Sequence, residues 1–133
     1  MSAVHVAVRR VYEDALPTDG ARVLVDRLWP RGLSKAKAHL DEWLRSVSPS
    51  TELRQWYGHD PERFAEFSTR YEAELRQPEP AAGFAHLVAL AAAGPLTLLT
   101  ASKAVTISEA TVLATLLQEG GDRAGNESVG TPG

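Results

Sequence analysis

The chain is 133 residues long, 44% hydrophobic and 23% charged, with a formal net charge of -3. That suffices for one domain with its own core, and the acidic balance argues against a dedicated nucleic-acid binder, which is basic overall or carries a long basic stripe. With no cysteine, disulfides, thiolate nucleophiles and Cys-ligated zinc are excluded. No apolar run approaches the ~20 residues of a membrane span, and no basic-then-apolar leader opens the chain. The expected location is the cytoplasm.

Val4, Val6 and Val8 alternate with His5 and Ala7, which predicts a first strand with one buried face and His5 toward solvent. Asp14 to Gly20 is a loop of turn formers. A second strand runs from about Arg22 to Asp26. Its Val23-Leu24-Val25 core suits a strand buried on both faces, as in a parallel sheet. Trp29-Pro30-Arg31-Gly32 must turn, since proline pushes Trp29 toward extended geometry and Gly32 permits positive φ. Ser34 is placed to cap a short helix, Lys35 to His39.

Leu40 to Val47 fits two patterns. Leu40, Trp43, Leu44 and Val47 have helical spacing, whereas Trp43, Arg45 and Val47 can share one face of a strand. Ser50 or Thr51 then caps a helix with Leu53, Trp56 and Tyr57 on one side and Gly58 as its stop. Asp60-Pro61 starts another, with an apolar stripe of Phe64, Phe67, Tyr71 and Leu75 and exposed pairs Glu66–Arg70 and Glu72–Arg76. Gln77 to Ala82 reads as a Pro/Ala linker. Phe84, Leu87, Val88 and Ala91 form the next helical stripe, with His86 opposite. Gly94-Pro95 breaks that helix, and Leu96 to Thr100 is a second buried strand. Thr106-x-x-Glu109 matches a capping box opening a last helix, buried through Val112, Leu113, Leu116 and Leu117. The expectation is one α/β domain over 1–119, a small, mostly parallel central sheet with helices on both faces. A disordered tail is expected over 120–133.

Open α/β sheets bind ligands beyond the carboxyl ends of their strands. Two segments fall there. The turn after Val25 offers Asp26, Arg27, Trp29 and Arg31, and the loop after Thr100 offers Ser102 and Lys103. Arg22 to Lys37 holds Arg22, Arg27, Arg31, Lys35 and Lys37 against Asp26 alone, a local charge of +4 against -7 for the remainder, given the total of -3. Such a patch focuses an anion, and guanidinium forks suit phosphate or carboxylate. Trp29 can wall the pocket or stack on a planar ligand or an arginine. Asp26 and His59 are the candidate proton-transfer groups. The bland alternative is that Asp26 pairs with Arg27, Arg31 or Lys103 merely to pin the strand ends. A third reading is a non-catalytic binding module for nucleic acid or a protein partner. No pattern names a cofactor, and the histidines, His5, His39, His59 and His86, lack metal-ligand spacing.

The runs VLVDRLWPRGLSKAKAHLDEW, PSTELRQWYGHDPERFAEFSTRYEAEL and GPLTLLTASK resemble the YeaO-like proteins, a bacterial and archaeal branch of domain-of-unknown-function family 488. The resemblance covers roughly residues 4 to 118. It implies an α/β fold and a strand near Trp43, and it implies no particular reaction. Members usually read L-L-Y-A-A-K-D, then N-H-A, where this chain has LLTASKAVTISEA. Lys103 is kept, but Ala104 replaces the aspartate and Ser108-Glu109 replace Asn-His. If the family's chemistry uses that histidine, this chain has lost or altered it.

Overall fold

The computed structural model describes residues 4–130, with side chains described as far as Glu119. Four strands, β1 (Val6–Arg10), β2 (Ala21–Leu24), β3 (Glu42–Trp43) and β4 (Leu96–Thr100), form one sheet in the order β1-β4-β2-β3. Every neighbouring pair is parallel. Pairing continues past β2, where Val25 N–H donates to Leu99 O at 3.1 Å and Leu44 N–H to Leu24 O at 2.8 Å. Trp43 therefore lies in a strand, although a short one.

The two faces of the sheet are unequal. Val6, Val23, Leu96 and Leu98 project to one face. There they join Leu53 and Tyr57 of α2 (Thr51–Tyr57), Phe67 and Tyr71 of α3 (Phe64–Glu74), Leu87 and Ala91 of α4 (Pro78–Ala93), and Leu113 and Leu117 of α5 (Glu109–Gly130). Tyr57 stacks on Phe67 with ring centroids 4.1 Å apart. Burying each such aromatic or aliphatic side chain is worth about 1.5–3 kcal/mol, so this face holds most of the fold. The other face carries a small cluster of Val11, Leu24 and Leu99, covered by Trp29, Leu33, Leu40 and Trp43 and flanked by the four-residue α1 (Lys35–Ala38). Loops, more than helices, close that side.

The same face has a polar half. Asp19 accepts from Arg9 Nη1 at 2.9 and 3.0 Å, from Arg22 Nη1 at 2.6 Å and from Leu16 N–H at 2.9 Å. Arg22, only 4% exposed, also donates to Ala38 O and His39 O at the carboxyl end of α1, where a cation meets the negative end of the helix. Burial by itself raises the Asp19 carboxyl, but the Leu16 N–H, Arg22 and Arg9 outweigh it, and its pKa lies below the ordinary 3.8.

Several local expectations are corrected. Gln77–Ala82 is no linker: α4 starts at Pro78, because proline in a first helical turn lacks only an N–H that would be unpaired anyway. Val88 is 47% exposed and leaves the buried stripe, while His86 pairs with Glu42 of β3 at 2.8 Å. Among the described residues the Glu66–Arg70 pair forms, and no Glu72–Arg76 pair accompanies it. Thr106 sits inside a 3-10 turn, Val105–Ile107, and does not cap α5. The backbone of α5 runs through Gly130. The tail expected over 120–133 thus falls on residues whose side chains, and for 131–133 also backbone, lie outside the described ones. No helix among the described residues is long and apolar enough to cross a membrane.

Candidate functional site

Every strand sends its carboxyl-end continuation to one open cavity of about 400 Å³. Tyr12 follows β1, Asp26 through Arg31 follow β2, Ser48 and Pro49 follow β3, and Ala101 and Ser102 follow β4. Arg54 of α2, His59 in the α2–α3 turn and Glu109 at the start of α5 complete the lining. A parallel sheet makes this convergence unavoidable, since all its carboxyl ends share one rim.

Asp26 is the fixed point of that rim. Its Oδ1 accepts the Thr100 hydroxyl at 2.8 Å and its Oδ2 the Ala101 N–H at 2.7 Å. No salt bridge to Asp26 occurs among the described residues, so the expected pairing with Arg27, Arg31 or Lys103 is replaced by uncharged donors. The backbone carbonyl of Asp26 accepts from Trp43 Nε1 at 2.7 Å. Trp29 donates to Leu33 O at 2.7 Å and meets Trp43 edge-on, with centroids 5.3 Å apart. Trp29 therefore walls the cavity as a braced strut, with Trp43 rather than an arginine beside it.

The cations behave differently. Arg27 has its Nε buried with no hydrogen-bond partner. Among the described residues, Arg27, Arg31 and Arg54 make neither a salt bridge nor a side-chain hydrogen bond, although the Arg31 carbonyl accepts from Tyr12 Oη at 3.0 Å. Half-buried Arg27 and exposed Arg31 and Arg54 thus bring three guanidinium groups without an ion-pair partner to one cavity. The other basic residues of the Arg22–Lys37 run disperse. Arg22 is buried in the Asp19 network, and Lys35 and Lys37 stand on α1. Ser102 lines the cavity; Lys103 is exposed and does not.

Two lining residues escaped the sequence. Arg54 reads there as helix surface, within P-S-T-E-L-R. Glu109 reads as the far end of a capping box. Released from that role, its carboxyl meets Asp26. Burial, the hydrogen bond to Asp26 and the Asp26 charge hold the Glu109 pKa well above the ordinary 4.5, against the lowering pull of a backbone hydrogen bond and Arg54. Two donors already serve Asp26, so the proton belongs on Glu109. His59, at φ 56°, also lines the cavity. No Ser, Thr or Tyr hydroxyl of the lining is hydrogen-bonded to His59 among the described residues, and the Thr100 hydroxyl that donates to Asp26 is buried, at 1% exposure. No cluster of three or more His, Asp or Glu suited to a metal ion occurs among the described residues.

A family model described as "Inactive DUF488-N3 subclade" matches residues 5–131. The chain belongs to the DUF488 family. Within it, uncharacterized protein YeaO of Escherichia coli K12 is 43% identical over 115 residues, 86% of this chain and 98% of YeaO. Uncharacterized protein Rv3073c of Mycobacterium tuberculosis H37Rv is 49% identical over 112 residues, 84% of this chain and 92% of that protein. No solved structure matches. The chain is thus a YeaO-like member of DUF488. Glu109, at the position where the family resemblance implies histidine, stands in the cavity, whereas Ala104 does not line it.

Proposed function

We propose that this DUF488 protein binds a small oxyanion, the phosphate or carboxylate group of a metabolite, and holds it without turnover. The observation that carries the reading is Arg27: a guanidinium whose Nε is buried and unpartnered beside two further unpaired arginines. A buried N–H without a partner costs about 1–3 kcal/mol, and an oxyanion held by the guanidinium offsets that cost. The Glu109 carboxyl, its one proton given to Asp26, adds no second negative charge to the cavity, and Asp26 keeps the rim in shape. The burial of the Thr100 hydroxyl that donates to Asp26 and the family description "Inactive" favour binding over catalysis by Asp26 or His59. Dispersal of the Arg22–Lys37 cations disfavours an extended nucleic-acid interface. We place the protein in the cytoplasm, in keeping with its lack of cysteine.

Calorimetry and thermal shift with sulfate, inorganic phosphate and acetate test it. An anion at 100 times its Kd stabilises the fold by about 2.7 kcal/mol. The expected result is a shift that vanishes in Arg27→Ala and Arg54→Ala. No shift with any anion, or a shift surviving both variants, removes the reading.

A further inference from the structure

We propose that the ligand is the phosphate monoester of a polyhydroxylated chain, its phosphate on Arg27, Arg31 and Arg54 and its hydroxyl groups in a second cleft that opens beyond Arg27. This rests on the oxyanion reading and names the rest of the ligand. The second cleft, about 550 Å³, shares Arg27 and Ser48 with the first cavity. The guanidinium with the buried, unpartnered Nε thus stands where the two spaces meet. A ligand anchored there has room on both sides, and both volumes lie in the range of small-molecule sites, about 300–1,000 Å³.

The lining chemistry selects what enters. Ser46, Gln77, Glu79 and Arg45 border the second cleft. Ser46 and Gln77 make no side-chain hydrogen bond among the described residues. Glu74 is already spent, accepting from the Ser50 N–H at 2.8 Å and the Ser50 hydroxyl at 2.6 Å. Glu79 and the Gln77 carbonyl are acceptors for hydroxyl groups, while Arg45, Ser46 and the Gln77 amide are donors to them. No aromatic residue lines this cleft, so a planar base finds no face to stack on. With Glu74 and Glu79 against Arg45 as its only cation besides Arg27, a second phosphate is unwelcome. An uncharged, hydroxyl-rich chain satisfies all of these.

Calorimetry on the full chain with inorganic phosphate, glycerol 3-phosphate and glucose 6-phosphate tests it. At least one ester should bind about tenfold tighter than phosphate. Gln77→Ala/Glu79→Ala should return that ester to the affinity of phosphate and leave phosphate itself unchanged. Both side chains are exposed, and the melting curve of the variant checks its fold. Esters no tighter than phosphate, or an advantage that survives in the double variant, overturn the proposal while leaving the oxyanion reading standing. Failure of phosphate and both esters to bind removes both.

Discussion

Asp26 accepts the Thr100 hydroxyl at 2.8 Å, so the carboxyl ends of β2 and β4 are tied by one side-chain hydrogen bond at the rim of the cavity. The other oxygen holds the Ala101 N–H. Asp26→Ala strands both donors, and an unsatisfied buried donor costs about 1–3 kcal/mol. The expected loss is about 2–4 kcal/mol, read from urea denaturation. Asp26→Asn keeps one acceptor and should recover part of it. A loss below about 0.5 kcal/mol, the level of an ordinary surface substitution, would show that the tie holds nothing together.

Glu109 makes anion binding depend on pH with a fixed sign. Below its raised pKa the carboxyl is neutral and donates; above it, a second negative charge joins Asp26 and repels the ligand. Affinity for sulfate, which does not titrate in this range, should fall as pH rises, and Glu109→Gln should flatten the profile. Asp26 and Arg54 are the charged groups acting on Glu109, and Arg27, Arg31 and His59 share its cavity. His59→Asn should leave the slope in place, although His59 lines the same cavity. Stability follows the same logic. Because the folded pKa is raised, the folded state binds more protons between pH 4.5 and that value. Stability therefore falls as pH rises through the window, and Glu109→Gln should remove this fall.

Asp19 has the opposite sign. Its folded pKa lies below 3.8, so its contribution is present above 3.8 and is lost as pH falls through the folded value. Asp19→Asn leaves Arg22 charged and buried without its carboxylate, a loss on the order of 3–5 kcal/mol. It should also abolish that portion of acid destabilisation in a denaturation series run from neutral pH to pH 2.5. An Asp19→Asn protein as stable as the parent would mean that the Ala38 and His39 carbonyls satisfy Arg22 unaided.

How far the sequence reaches follows from which signals are local. Val23-Leu24-Val25 and Leu96–Thr100 are continuous apolar runs, and parallel pairing alone puts their ends together, which is why Asp26, Arg27, Trp29, Arg31 and Ser102 were legible as neighbours. His59, a candidate proton-transfer group in the sequence, lines the same cavity from the turn between α2 and α3. Arg22 counts toward the local charge of the Arg22–Lys37 run without belonging to the site. It lies two residues before Leu24, so it shares the face of Leu24, near the amino end of the strand and away from the rim. Glu109 and Arg54 were hidden because helix-surface residues carry no mark of what faces them. For Glu109, a competing local role, the capping box with Thr106, fitted the spacing equally well. Tertiary contact overrode it, turning an apparent cap into the acid that meets Asp26.

Two glycines with left-handed backbone separate conformational cost from close approach. Gly20, at φ 64°, lies so near Pro95 that an added Cβ would stand 2.1 Å from the Pro95 carbonyl oxygen. That carbonyl also accepts the Ala21 N–H at 3.0 Å, where β2 begins beside β4. Neither backbone can retreat without breaking the start of this pairing. Gly20→Ala adds the overpacking penalty of about 1–3 kcal/mol to the left-handed cost of about 1–2 kcal/mol. Gly32, at φ 73° in the Trp29–Gly32 turn, has nothing within 4 Å of its added Cβ. Gly32→Ala should cost the conformational part alone, about 1–2 kcal/mol. Urea midpoints at unchanged m-values measure both. Equal losses at the two sites would mean that the strands part easily at Pro95, and that the sheet is not locked at its amino end by this contact.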